Sequence, residues 1–212
     1  LQVSVPAHRL VACSFLGRSW PEPATIGAMT DEEREAVLRV LDESAEQLES
    51  SVAGVAEARW MLSPCDGQWS PAEVLEHLIL TEESVSRNVM SGLPNGTAPG
   101  RDIESARRLD AVILSRVPDR TSGRPRIPTP EFLRPSGRFS DRQAALSAFR
   151  EKRELLKHFI STTALPLRDR VARHPALGDI DGYQWLLFLA AHCKRHSKQL
   201  REAGEVSAVF RA

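Results

Sequence analysis

Apolar residues recur at steps of three and four in four stretches of this chain, and each stretch opens on a side-chain cap. Leu38, Leu41, Ala45, Leu48, Val52 and Val55 form the first stripe, a spacing that predicts one buried helical face. The second stripe runs through Val74, His77 with Leu78, Thr81 and Val85, and the third through Leu146, Phe149, Leu156 and Ile160. The fourth passes through Trp185, Phe188 with Leu189, His192, His196 and Gln199. Thr30 with Glu33, Ser70 with Glu73 and Ser140 with Gln143 match the capping box, in which a hydroxyl accepts from an orphan amide and the third residue reaches back. Pro71 takes the first helical position of the second helix, where a missing N–H costs nothing. Asp181 with Gln184 opens the fourth in similar fashion. The pattern predicts an all-α protein, a four-helix bundle.

The connections sharpen the topology. The short link around Ser63 to Trp69 predicts that the first two helices are antiparallel neighbours. A long crossover, Ser91 to Phe139, separates helices two and three and lets them run the same way. Within it, Asp102 to Ser115 reads as a short helix. Thr121 to Arg138 is rich in proline, arginine and glycine and reads as a non-helical loop, the natural source of a lid over a site. Residues 1–28 carry three prolines and no sustained period. They read as a poorly ordered N-terminal arm, with an ordered strap as the alternative, ahead of a domain over 29–212.

Composition removes several functions. Lysine plus arginine equals aspartate plus glutamate, 28 against 28, so the net charge that nucleic-acid binding draws on is missing. No apolar run approaches the roughly 18 residues that suggest a membrane span. Cys13, Cys65 and Cys193 show no paired spacing, which argues against a disulfide framework and for a reducing, cytoplasmic setting. Leu10-Val11-Ala12-Cys13 has the outline of a lipoprotein cleavage site, but Pro6, His8 and Arg9 interrupt the apolar segment that such a signal requires.

The candidate chemistry lies on the stripes. His192 and His196, four apart on one helix, project from the same face and can share a metal ion. His77 holds a stripe position on another helix, so the three imidazoles converge if those helices face each other. Three protein ligands with a position left open is the arrangement of a catalytic metal, whereas structural sites are usually closed by four. A single buried histidine is most often a hydrogen-bonded core residue; three on facing stripes shift the balance to metal. Neutral imidazoles suit zinc, nickel, cobalt, iron or copper. Gln199 and Thr81, each one turn beyond a histidine, are candidates to orient a ligand or simply to fill the core. Glu73 is explained by its cap, and Glu76 and Glu82 point off the stripe. His158 reads as solvated, His174 as a turn contact, His8 as part of the arm, and Cys193 as turned away from the ligand face. The crossover arginines Arg116, Arg120, Arg124 and Arg126 read as solvated, or as partners for substrate carboxylates if the loop folds over the metal.

The run Gln68-Trp69-Ser70-Pro71-Ala72-Glu73-Val74-Leu75-Glu76-His77-Leu78, together with Asp181-Gly182-Tyr183-Gln184-Trp185-Leu186-Leu187-Phe188-Leu189-Ala190-Ala191-His192, His196 and Gln199, resembles the DinB-like superfamily. The loop Pro130 to Phe139 is similar to a stretch seen in many members, and the resemblance spans roughly Thr30 to Ala203. It implies a four-helix bundle whose metal ligands fall on His77, His192 and His196. The implied cofactor is one divalent transition metal, zinc or nickel first, with iron, manganese or cobalt as alternatives. The implied reaction is thiol S-transfer, with a low-molecular-weight thiol and a small electrophile as partners; charge and composition add the expectation of no nucleic acid and no membrane, and a homodimer is left open. A metal raises the acidity of a thiol it binds. It does the same for water, so metal-dependent hydrolysis is the second reading. A non-catalytic, stress-associated metal-binding bundle is the third.

Overall fold

The computed structural model describes residues 27–93, 96, 102–121 and 128–205. The expected arm, apart from its last two residues, therefore lies outside the described residues, as do His8, Cys13, Arg124 and Arg126. Four long helices build the bundle: α1 (Asp31–Ala53), α2 (Pro71–Met90), α4 (Arg142–Thr162) and α5 (Gly182–Glu205). A shorter helix, α3 (Ile103–Arg116), lies in the crossover where Asp102 caps it. Thr30 and Ser70 form the expected capping boxes. Asp181 and Gln184 exchange reciprocal bonds of 2.8 and 3.0 Å at the start of α5. The cap of α4 is Asp141 rather than Ser140, its carboxylate accepting from Ala144 at 2.6 Å; the neighbouring carboxylate is the stronger acceptor for an orphan amide.

Pairs of contacts fix the helix directions. Glu49 meets Arg150 and Asp42 meets Lys157, so α1 and α4 are antiparallel. Glu43 meets Lys194 and Ser51 meets Arg201, so α1 and α5 are parallel. Helices α2 and α4 run the same way, with Glu82 beside Arg153 at one level and Leu75 clustering with Leu146 at another. This is the parallel pair that the long crossover predicts. The expectation that helices one and two are neighbours is not met. Each packs on both α4 and α5, which places α1 and α2 on a diagonal. The link between them, with a 3-10 turn at Glu57–Arg59, crosses the end of the bundle and buries Trp60 in the core.

The chain is not purely helical. A small antiparallel hairpin, β1 (Val171–His174) and β2 (Gly178–Asp181), leads into α5. Gly178 supplies the positive φ of +75° at which this turn closes. Below the hairpin, Arg168 binds Glu33, Asp110 and Asp181 within 2.6–3.3 Å and stacks over Tyr183. One guanidinium thus ties the starts of α1 and α5 to α3.

Two apolar clusters fill the bundle, and a polar layer divides them. Ser44 falls between Leu41 and Leu48, Glu82 between Ile79 and Val85, and Arg153 between Phe149 and Leu156. Arg153 fills the gap in the third stripe and is fully enclosed. It binds Glu82 through two bonds of 2.6 and 3.0 Å and donates to Leu41 O and Ser44 Oγ. Glu76 and Glu82, read as lying off the stripe, are both buried; α4 and the crossover cover faces of α2 that a lone helix would leave to water. Among the described residues, no helix is long and apolar enough to cross a membrane.

Candidate metal centre

His77 on α2 and His192 and His196 on α5 come together where these antiparallel helices pack, one potential ligand atom of each lying within 4.8 Å of the others. The ring centroids are 4.3–5.3 Å apart. His77 and His196 are buried and His192 is half-buried.

Hydrogen bonds decide which nitrogen faces the cluster in two of the rings. His77 Nδ1 lies 2.8 Å from the carbonyl oxygen of Leu133. A carbonyl only accepts, so Nδ1 carries the proton and Nε2 keeps its lone pair. His196 Nδ1 lies 2.8 Å from Gln199 Oε1. That atom also accepts from Arg120 at 3.3 Å, and because arginine only donates, the amide oxygen must face this way. His196 therefore donates from Nδ1 and presents Nε2, which sits 3.1 Å from His192 Nε2. Two nitrogens at about 2.0–2.1 Å from a tetrahedral zinc lie roughly 3.3 Å apart, so the spacing fits a shared ion.

Burial holds all three histidines below their ordinary pKa. For His192 and His196 the neighbouring imidazoles add to the effect, while for His77 the Leu133 bond partly offsets it. The rings are neutral at physiological pH, the form a metal requires. Donor type, spacing and protonation state all suit a divalent transition metal held by three imidazoles.

The crossover supplies the outer contacts. Leu133 belongs to a 3-10 turn, Glu131–Leu133, within the stretch expected to be non-helical. Glu76 anchors the residues that follow, its carboxylate accepting from Ser136 N, Ser136 Oγ, Gly137 N and Arg138 N at 2.9–3.1 Å. Burial alone would raise this carboxyl, but the three amides and the Ser136 hydroxyl hold it below the usual range. Further along α5, Arg195 and Lys198 grip the carbonyls of residues 117–119, and Arg120 pairs with Glu202. Arg120 is thus directed to α5 and not toward a substrate.

The remaining candidates separate cleanly. Thr81 donates to the carbonyl of His77 at 2.9 Å, a bond within its own helix. Glu73 is occupied by its cap. His158 is exposed on α4, and His174 serves the hairpin turn. Cys193 faces Ser44 at 3.3 Å, and burial pushes its thiol up to about 11, so it is neither ligand nor nucleophile. Glu76, the Leu133 carbonyl, Trp69 (4.9 Å from His77) and Phe188 (5.1 Å from His192) were not read as site elements. A carboxylate beside a stripe histidine, with an amide-rich Ser-Gly turn elsewhere in the chain, is the signal that points to Glu76.

Replacing Gln199 by leucine is expected to weaken metal binding about tenfold, because His196 Nδ1 loses its partner, while the thermal transition of metal-free protein stays nearly unchanged, because Arg120 gives up one long bond and keeps Glu202. Competition titration against a chelator measures the first effect and calorimetry the second.

Fold and site together define a helical bundle carrying a three-histidine cluster able to hold a metal ion. The family model of the DinB superfamily matches residues 40–200, and the chain belongs to that superfamily. It is 24% identical over 174 residues to the uncharacterised protein YuaE of Bacillus subtilis strain 168, covering 79% of this chain and 97% of YuaE. It is also similar to the solved structure of YfiT from Bacillus subtilis, described as a probable metal-dependent hydrolase with an unusual four-helix bundle topology. That match has a TM-score of 0.47 and 16% identity, over 89% of this chain and 93% of YfiT.

Proposed function

We propose that the protein is a metal-dependent enzyme of thiol S-transfer type, with His77, His192 and His196 as the ligands of one divalent ion, zinc or nickel first. The convergence of three neutral imidazoles, two with Nδ1 occupied and Nε2 free, carries this reading. When bound, the ion supplies Lewis acidity at the positions that three protein ligands leave open, favouring the deprotonated form of a small nucleophile.

The surroundings favour a thiol over water. Among the described residues, no further histidine, cysteine or carboxylate joins the cluster. Glu76 is engaged by the crossover and Glu73 by its cap, so neither is available as a general base. A nucleophile with an ordinary pKa near 8.5 has less need of a base than one near 15.7. Trp69 and Phe188 make the surroundings apolar, which suits sulfur. The partners are then a low-molecular-weight thiol and a small electrophile, in a cytoplasm that keeps such thiols reduced.

Elemental analysis of protein purified in metal-free buffers and then reconstituted is expected to find about one equivalent of metal in wild type and none in His77→Ala. Thiol consumption with an added electrophile should then require the metal and stop with chelator. Product formation without thiol would replace this reading by hydrolysis. Metal binding with neither activity would leave a non-catalytic metal-binding bundle.

A further inference from the structure

His174 lies outside the triad, yet it is one ring removed from it. The hairpin holds it at the end of β1, where its Nδ1 accepts from the amides of Ala176 and Leu177 at 3.1 and 3.2 Å. An Nδ1 that accepts two N–H bonds cannot carry the proton, so the neutral ring bears it on Nε2. Nε2 has no partner among the described residues. The ring sits 4.5 Å from Phe188 and 5.2 Å from Trp185, and Phe188 in turn lies 5.1 Å from His192. Phe188 is buried while His174 and Trp185 are half-buried, so the outer two rings form the accessible part of the wall.

Trp185 adds a second observation. Its Nε1 is buried and has no hydrogen-bond partner among the described residues. Anchoring of the hairpin explains the Nδ1 bonds and the ring contacts. It leaves the His174 Nε2–H, on a half-buried ring, without an acceptor among the described residues, one aromatic ring away from the metal-binding cluster.

We infer that His174 and Trp185 form a binding wall beside the triad, taking the flat, conjugated part of an electrophile and hydrogen-bonding an uncharged oxygen on it. This rests on the reading of the triad as the reaction centre. The chemistry of the wall selects the class. Its rings favour planar apolar groups. Its accessible donor, the His174 Nε2–H, is uncharged, since burial lowers His174 to about 4, and it suits a carbonyl or nitro oxygen better than a carboxylate.

The test uses the full chain, zinc-loaded and metal-stripped, and titrates cinnamamide against hexanamide by calorimetry. Both probes carry an amide oxygen, but only the first is flat and conjugated. Wild type is expected to prefer cinnamamide by about tenfold. His174→Asn keeps an acceptor for the Ala176 and Leu177 amides and removes the ring. Trp185→Leu removes the second ring. Each should bring the preference close to one, with zinc stoichiometry and melting temperature held in the asparagine variant. Wild type that binds neither probe, or binds both alike, overturns the inference, as does a preference that survives both substitutions. Should His174→Asn fail to fold, Trp185→Leu decides alone. Failure of wild type to take up zinc would count against the metal reading only, because the preference is still read in stripped protein.

Discussion

His192→Ala is expected to lose metal by well over a hundredfold while the helices stay intact. Loss of a hydrogen-bond partner outside the ligand set typically costs 10–100-fold in affinity, roughly, and loss of a ligand exceeds that. His77 and His196 would remain, leaving one imidazole from each helix and no adjacent-turn pair. Folding should not suffer. Alanine is the stronger helix former, His192 is half-buried, and its neighbours Leu189, Ala190, Ala191 and Cys193 hold α5 in the core. The contrast appears most sharply in thermal unfolding with added zinc. An ion present at about 1,000 times its dissociation constant stabilises wild type by roughly 4 kcal/mol, a rise of roughly 10 °C for a domain of this size. The variant should show almost none of that rise, with an unchanged helical signal by circular dichroism. Collapse of the helical signal in the variant would instead mark the metal as structural.

What could be read from the residues was mostly local. Thr30, Ser70 and Asp181 announce their helices because a cap is decided within three residues. The stripe positions of His77, His192 and His196 follow from periodicity, and packing of α2 on α5 then brings them together. What escaped depends on partners far along the chain. Glu76 and Glu82 look solvated on an isolated helix, yet their acceptor groups meet donors 60 and 71 residues away. Ser44 and Ser51 are buried on α1 although hydroxyls do not mark an apolar stripe; Ser44 is there to receive Arg153. The diagonal placement of α1 and α2 likewise rests on the packing of each against α4 and α5, far along the chain. The hairpin escaped because four-residue strands as polar as Val-Ala-Arg-His and Gly-Asp-Ile-Asp carry too little alternation to register.

The polar layer makes the second large prediction. Arg153→Met alone is expected to destabilise the protein by roughly 3–5 kcal/mol, because it leaves Glu82 charged and enclosed without its partner. For a domain of this length that is a fall of roughly 10 °C or more in melting temperature. Glu82→Met alone should do comparable damage by stranding the guanidinium. The double variant is expected to recover most of the loss, since two apolar side chains of similar volume need no desolvated charge to be matched. Recovery in stability should not bring recovery at the metal centre. Arg153 donates to Ser44 Oγ, and the carbonyl of Ser44 accepts from Cys193, the residue that follows His192. These contacts oppose rotation of α5 about its axis, and a turn of α5 swings His192 and His196 together away from His77. The double variant should therefore unfold near the wild-type temperature yet bind metal measurably more weakly. Wild-type metal affinity in the stable double variant would mean that apolar packing alone sets the rotation of α5, and that the ion pair serves no purpose beyond filling the gap between the two clusters.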